Sequence, residues 1–461
     1  MVENRWQVAR LIPTSGINGA DEQERRAASA LLAVMGAVRE FSVAMLKPLG
    51  APTGRVEAFI EVPFLLPDGS SYRPDGVIRV TRAGKSWVCL VEFKTGSGML
   101  KREQVEAYLE IAREEKFDAV LTISNELAIG PGVHPVVVDK RKLRQVAVHH
   151  RSWSEIVGEA IIQRIHRGVS DPDQAWLLGE LIRYLEDPKS GAADFNDMGA
   201  SWTIARDATV SGTLKAKDPD ALAVAARFEQ LMRFAALRLS RELGVTVGLL
   251  AGKGQPDASA RVAELASELA SNGVLAGTLR IPNTASDITV EANLRTGKIT
   301  TSGRLAAPGE GRNQTRVAWL TRQLGEAHAE TRIDAHASYR REPASALLGK
   351  LREDPMLVID DKTRPIVSFA ISQTSPSGNK RGVGSGCFIE SVIAAVDAFY
   401  GDVVQQLRPW TAKAPKRTDE DEALRAVGVD TTPSDTPRPQ LLLPAHCDSE
   451  ERISVSGSAA A

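Results

Sequence analysis

An apolar run, Trp87-Val88-Cys89-Leu90-Val91, closes on Glu92-Phe93-Lys94. So apolar a stretch, free of glycine and proline, predicts a strand at the centre of a sheet. Side chains alternate across a strand, so Glu92 and Lys94 share one face. A lysine in such a strand is costly unless it has a partner or a task. Upstream, Tyr72-Arg73-Pro74-Asp75-Gly76 sets an aspartate at the end of a second strand. If the two strands pair, Asp75 reaches the same face. Two carboxylates and one ammonium then converge, a set suited to holding a divalent metal beside a phosphodiester and orienting a water.

The surrounding segments predict an α/β domain. An amphipathic helix is expected from Asp21 to Lys47, then strands at Val56–Leu66, Ser71–Val80 and Lys85–Lys94. A helix follows at Lys101–Glu115, strands at Phe117–Ile123 and Gln145–His149, and a helix at Trp153–His166. This order over residues 1–170 fits one domain with a mixed sheet. Residues 171–215 read as a linker with a short helix at Gln174–Leu185, and residues 216–410 as a separate α+β domain. That domain opens on a helix at Pro219–Leu243 and carries a hairpin at Ile288–Leu294 and Lys298–Leu305. Helices are expected at Ala344–Leu351 and from Phe388 to Leu407. Residues 411–461, rich in Pro, Ser, Thr and acidic residues, are expected to be a disordered tail.

A chain of 461 residues is too long for one ordinary core. Its 43% hydrophobic and 25% charged content is that of a soluble globular protein. No apolar run is long enough to span a bilayer, so no membrane association is expected. Cys89, Cys387 and Cys447 form no CxxC pair, which argues against disulfides or structural zinc and for a cytoplasmic location. The net charge of −1 neither favours nor excludes a nucleic-acid partner. Residues 1–170 hold 23 Lys+Arg against 20 Asp+Glu, a balance of +3.

Two further features point to the same site. Gln104 and Tyr108, four residues apart on a predicted helix, face one way. Glu24 lies in phase with the apolar stripe Ala28, Leu31 and Met35 of the first helix, whereas Glu22 and Glu40 fall on the opposite side. The bland alternative for the charged set is a buried ion pair between Lys94 and one acid, which rarely recruits a third charge.

These residues resemble the PD-(D/E)XK nuclease superfamily at Pro74-Asp75 and Glu92-Phe93-Lys94, and its RecB-like branch at Gln104 and Tyr108. The resemblance covers about residues 15–165 and implies a restriction-endonuclease-like core of αβββαβ order. It implies that Asp75 and Glu92 bind Mg²⁺ or Mn²⁺ and that Lys94 orients or activates the attacking water. Gln104 and Tyr108 would complete the site, and Glu24 would be its first-helix acid, with Glu61 a rival. DNA is the expected substrate ahead of RNA, in defence or repair.

Lys140, Arg141, Lys142 and Arg144 form a basic run that can meet backbone phosphates or simply be a solvated loop. Gly382–Gly386 lacks the Lys-Ser/Thr of a P-loop and reads as a plain loop. Arg316 and Arg322 beside Trp319 read as a snorkelling helix surface. Residues 216–410 would supply targeting, homo-oligomerisation or a protein contact. The competing reading is a nuclease-like fold turned catalytically silent adaptor, binding nucleic acid or protein through this second domain.

Overall fold

In the computed structural model, which describes residues 7–8, 20–66, 69–130, 132–250, 257–360 and 363–412, the apolar runs become the central strands of two separate sheets. The first half comprises β1 (Gln7–Val8), α1 (Ala20–Ala37), α2 (Arg39–Leu46), β2 (Arg55–Ile60), β3 (Phe64–Leu65), β4 (Ser71–Tyr72), β5 (Gly76–Arg82) and β6 (Lys85–Phe93). It continues with α3 (Arg102–Glu114), β7 (Ala119–Ser124), β8 (Ala147–Ser152), α4 (Trp153–Ile161) and α5 (Pro172–Glu186). The six-stranded sheet runs β1-β2-β5-β6-β7-β8. Its first four strands are antiparallel, whereas β6, β7 and β8 are parallel, so the sheet is mixed and the region α/β.

The alternation within β5 and β6 divides the core in two. Ile78, Cys89, Val91 and Phe93 face α1, α2, α4 and α5, while Val77, Leu90 and Val120 face α3. Burial on both faces explains why β6 carries no polar alternation.

The second half comprises α6 (Trp202–Val210), α7 (Pro219–Leu243), β9 (Gly248–Leu249), α8 (Ala258–Asn272), β10 (Val274–Arg280), β11 (Ile288–Asn293) and β12 (Lys298–Ala306). Then follow α9 (Asn313–Gln323), β13 (Arg332–Ala337), β14 (Ala344–Leu347), α10 (Leu348–Glu353), β15 (Ile366–Pro376) and α11 (Phe388–Phe399). Its seven strands form one sheet, β14-β13-β15-β12-β11-β10-β9, with every neighbour antiparallel. Alternate residues such as Leu275, Val290 and Ile299 are buried, and α7, α8 and α11 pack on the sheet.

Several expected elements are cut where the backbone turns. The predicted helix 21–47 is two helices bent by 110°, broken at the extended Val38. The predicted strand 56–66 stops at Ile60, because Glu61 adopts a left-handed φ of 49°. The predicted strand 71–80 is divided at Arg73-Pro74-Asp75, as a proline would impose. Residues 344–347 pair as a strand before the helix expected there begins. β10 and α6 were not expected: Ala276 and Gly277 mask the strand, and a sheet neighbour on either side stabilises it.

The segment 171–215 is packed on both sides. Leu178 and Leu181 of α5 fill the first core, and Trp202 of α6 the second. Residues 413–461, all but the first two positions of the expected tail 411–461, lie outside the described residues. Among the described residues, no single helix is long and apolar enough to cross a membrane.

Gly76 marks where α1 meets the sheet. A Cβ there would lie 2.6 Å from Leu32 Cδ1, and Leu32 is wholly buried. Gly76→Ala is therefore expected to cost about 1–3 kcal/mol in urea denaturation. Combined with Leu32→Ala, the loss should be less than the sum of the two single losses.

Candidate metal centre

Register brings the acids together. β5 and β6 pair Gly76 with Val91, so Asp75, one residue before β5, stands opposite Glu92 near the end of β6. Asp75 Oδ2 accepts the Phe93 N–H at 2.8 Å, which fixes the aspartate to the neighbouring strand. The Lys94 N–H donates to the Ile123 carbonyl at 2.8 Å and holds the end of β6 against β7. Glu24 arrives from α1, on the opposite face. One carboxylate oxygen from each of Glu24, Asp75 and Glu92 lies within 4.8 Å of the other two.

Lys94 sits among them. Its Nζ donates to Glu24 Oε1 at 2.9 Å, to Glu92 Oε1 at 2.6 Å and to the Phe93 carbonyl at 2.6 Å. From α3, Gln104 Nε2 donates to the same Glu92 Oε1 at 2.6 Å and to the Tyr108 hydroxyl at 3.0 Å. Tyr108 packs edge-on against Tyr72. The other oxygen of Glu92, Oε2, is buried and has no hydrogen-bond partner. A buried carboxyl oxygen left so is expensive, and it is the kind of atom a cation satisfies.

All six residues expected at the centre, Glu24, Asp75, Glu92, Lys94, Gln104 and Tyr108, are thus brought together. Glu61 is not part of the cluster: its carboxylate pairs with Arg25 at 2.9 Å. Glu22, expected on the outward side of its helix, is buried and paired with Arg26. In the basic run, Lys142 pairs with Glu110 at 2.8 Å and Glu106 at 3.3 Å, while Lys140, Arg141 and Arg144 are exposed. Arg316, expected at the surface, is buried and donates to the Gly309, Gly311 and Ile366 carbonyls. In the loop 382–386, the Gly384 amide donates to Glu390, an anion from the chain itself.

Two contributors had no usable sequence signal. The Trp153 indole donates to the Lys94 carbonyl at 2.8 Å and its ring stacks on Phe93. Thr122 is the in-register neighbour of Glu92 and lies 2.8 Å from His134 Nε2 and 2.9 Å from His150 Nδ1. His150 Nε2 must donate to the Glu126 carbonyl at 2.7 Å, so Nδ1 takes the Thr122 proton. Burial lowers the His150 pKa to about 4, which keeps this ring neutral.

Charge states follow from burial and crowding. Burial, then the neighbouring Glu92, raises the Asp75 pKa well above the usual carboxylate range. Burial raises that of Glu92 as well, against the pull of Lys94. At Lys94 burial opposes the charge, but Glu92 and Glu24 outweigh it and the ammonium is held protonated. Burial and Glu92 raise the Tyr108 pKa, so its phenol stays neutral.

No protein-family model, curated protein or solved structure matches this chain.

A carboxyl whose folded pKa lies above its unfolded value stabilises the fold at low pH and loses that contribution as pH rises. Asp75→Asn, which retains an acceptor for the Phe93 N–H, should therefore raise the metal-free melting temperature at pH 8. A gain of roughly 2 °C is expected, shrinking toward pH 4. The same variant should abolish stabilisation by Mg²⁺. In the unaltered protein that stabilisation should grow with pH, because the cation competes with protons for Asp75 and Glu92.

Proposed function

We propose that the chain is a divalent-metal-dependent nuclease with a PD-(D/E)XK-type, restriction-endonuclease-like N-terminal region, hydrolysing phosphodiester bonds in DNA. The observation that carries this reading is the buried, partnerless Glu92 Oε2 inside a cluster of three carboxylates that share one lysine. A purely structural ion pair needs neither the third acid nor the unpaired oxygen. The donor set, three carboxylates at strand ends and a helix, suits Mg²⁺ or Mn²⁺, which favour oxygen ligands.

Asp75 and Glu92 would hold the cation, with Glu24 completing the acidic side. When bound, it supplies charge that polarises a phosphate oxygen and acidifies a water. Gln104 and Lys94 both hold Glu92 Oε1, leaving Oε2 turned free. Lys94, protonated, offers its ammonium to the charge that develops on the phosphate and positions the attacking water. Its raised pKa argues against its taking the water's proton while the three acids surround it. Tyr108, neutral, supports Gln104 through its hydroxyl. Lys140, Arg141 and Arg144 remain available for backbone phosphates.

The deciding experiment incubates the purified protein with supercoiled, linear and single-stranded DNA and with RNA, in Mg²⁺, Mn²⁺ or EDTA. Metal-dependent DNA cleavage is expected, reduced about 100-fold or more in Lys94→Ala and Glu92→Gln. Failure of the folded protein to cleave any substrate with either metal would overturn the reading.

A further inference from the structure

A cavity of about 450 Å³ lies between α2 and α4 of the first half and α7, β9 and α8 of the second. This is within the roughly 300–1,000 Å³ range of small-molecule sites. Its apolar wall includes Met45, Ile129, Ile162, Leu237, Val247 and Leu249. Seven charged side chains interrupt that wall, and they are unequally engaged.

The acids already have partners. Glu155 Oε2 accepts the Ser152 N–H at 2.7 Å and caps α4, and Glu159 is paired with Arg167. Asp257 Oδ1 accepts the Ser259 N–H at 3.0 Å and caps α8. Glu229 lies 3.7 Å from Arg261, and burial raises its pKa and weakens its charge. Arg261 in turn donates to Glu264 and to the Ala276 carbonyl.

Arg151 and Arg233 differ. The Arg151 guanidinium makes no hydrogen bond or ion pair among the described residues. Arg233 approaches Glu155 at 3.6 Å and its charge acts on Glu229, one turn earlier on α7, but its Nε is buried without a hydrogen-bond partner. A guanidinium presents a fork of donors matched to phosphate or carboxylate, and leaving a buried N–H unpaired is costly.

We propose that this cavity binds a small organic phosphate. Arg151 and Arg233 would take the anionic group, and the apolar wall would hold an aromatic or apolar body of nucleoside size. The proposal stands apart from the metal centre, although α4 touches both: Trp153, at its start, holds the Lys94 carbonyl.

The test is thermal shift and calorimetry on the full chain in EDTA, so that nothing depends on cleavage or on the metal site. The probes are the four common nucleoside 5′-monophosphates, inorganic phosphate and benzoate, each to about 10 mM. At least one monophosphate should raise the melting temperature, more than phosphate or benzoate does. Its dissociation constant should rise ~10-fold or more in Arg151→Ala, the loss of one charge-assisted contact. Val133→Trp, which adds bulk to the cavity's lining, should have the same effect, and Asp75→Asn should have none. Absence of binding by every probe would overturn the proposal. So would binding that Arg151→Ala and Val133→Trp leave unchanged, since the ligand would then sit elsewhere.

Discussion

The contact on which the first half turns is the Lys94 ammonium lodged between Glu24 and Glu92. Carboxylate oxygens within 4.8 Å of one another repel by something of the order of 3 kcal/mol per charged pair at an effective dielectric of 20. Lys94, at 2.9 Å from Glu24 and 2.6 Å from Glu92, offsets this repulsion, and burial favours a proton on Asp75 and Glu92 as well. The centre is therefore a balance of close like and opposite charges that the surrounding fold holds in place. The β5–β6 register, the Phe93 amide on Asp75 and the close approach of α1 over Gly76 are what hold it. Acidic groups held close by a rigid frame are what a preorganised cation site requires.

How much of this was legible in the sequence depended on how local the signal was. The strand at 85–93 declared itself through a continuous apolar run, and the convergence of Asp75, Glu92 and Lys94 followed from alternation and one pairing assumption. Gln104 and Tyr108 followed from helical spacing. Glu24 needed its phase against the apolar stripe, and Glu61 stayed a rival because nothing local announces that its backbone turns the side chain toward Arg25. Trp153 and Thr122 were invisible for a different reason. Their roles arise from strand neighbours and a helix 59 residues further along the chain, contacts that no local pattern encodes. In the second half, alternation gave the β11–β12 hairpin, whereas β10 was hidden by alanine and glycine and emerges only from the sheet it completes.

The two sheets solve burial differently. The mixed sheet is covered on both faces, so it can hide a charged cluster at its strand ends. The antiparallel sheet alternates buried and more exposed residues, as in β10 and β12, so its second face tolerates threonine, serine and arginine. The halves are joined by specific polar contacts. Arg241 of α7 donates to the Ser154 carbonyl at 2.6 Å, and Gln230 to that of Leu127 at 2.6 Å.

The packing of α5 sets how small a working piece of this protein can be. Its residues Leu178, Leu181, Ile182 and Leu185 lie in the same core as Leu31, Leu32 and Met35 of α1. Just beyond it, the Lys189 carbonyl accepts a hydrogen bond from Gln23, the residue before Glu24. A fragment ending at residue 170 would keep Asp75, Glu92 and Lys94 in their strands but remove the far wall against which α1 rests. The acid supplied by that helix would lose its anchor. The shortest autonomous unit therefore has to extend past Gly191, whose carbonyl accepts from Gly96 and Asn125 beside the strand ends.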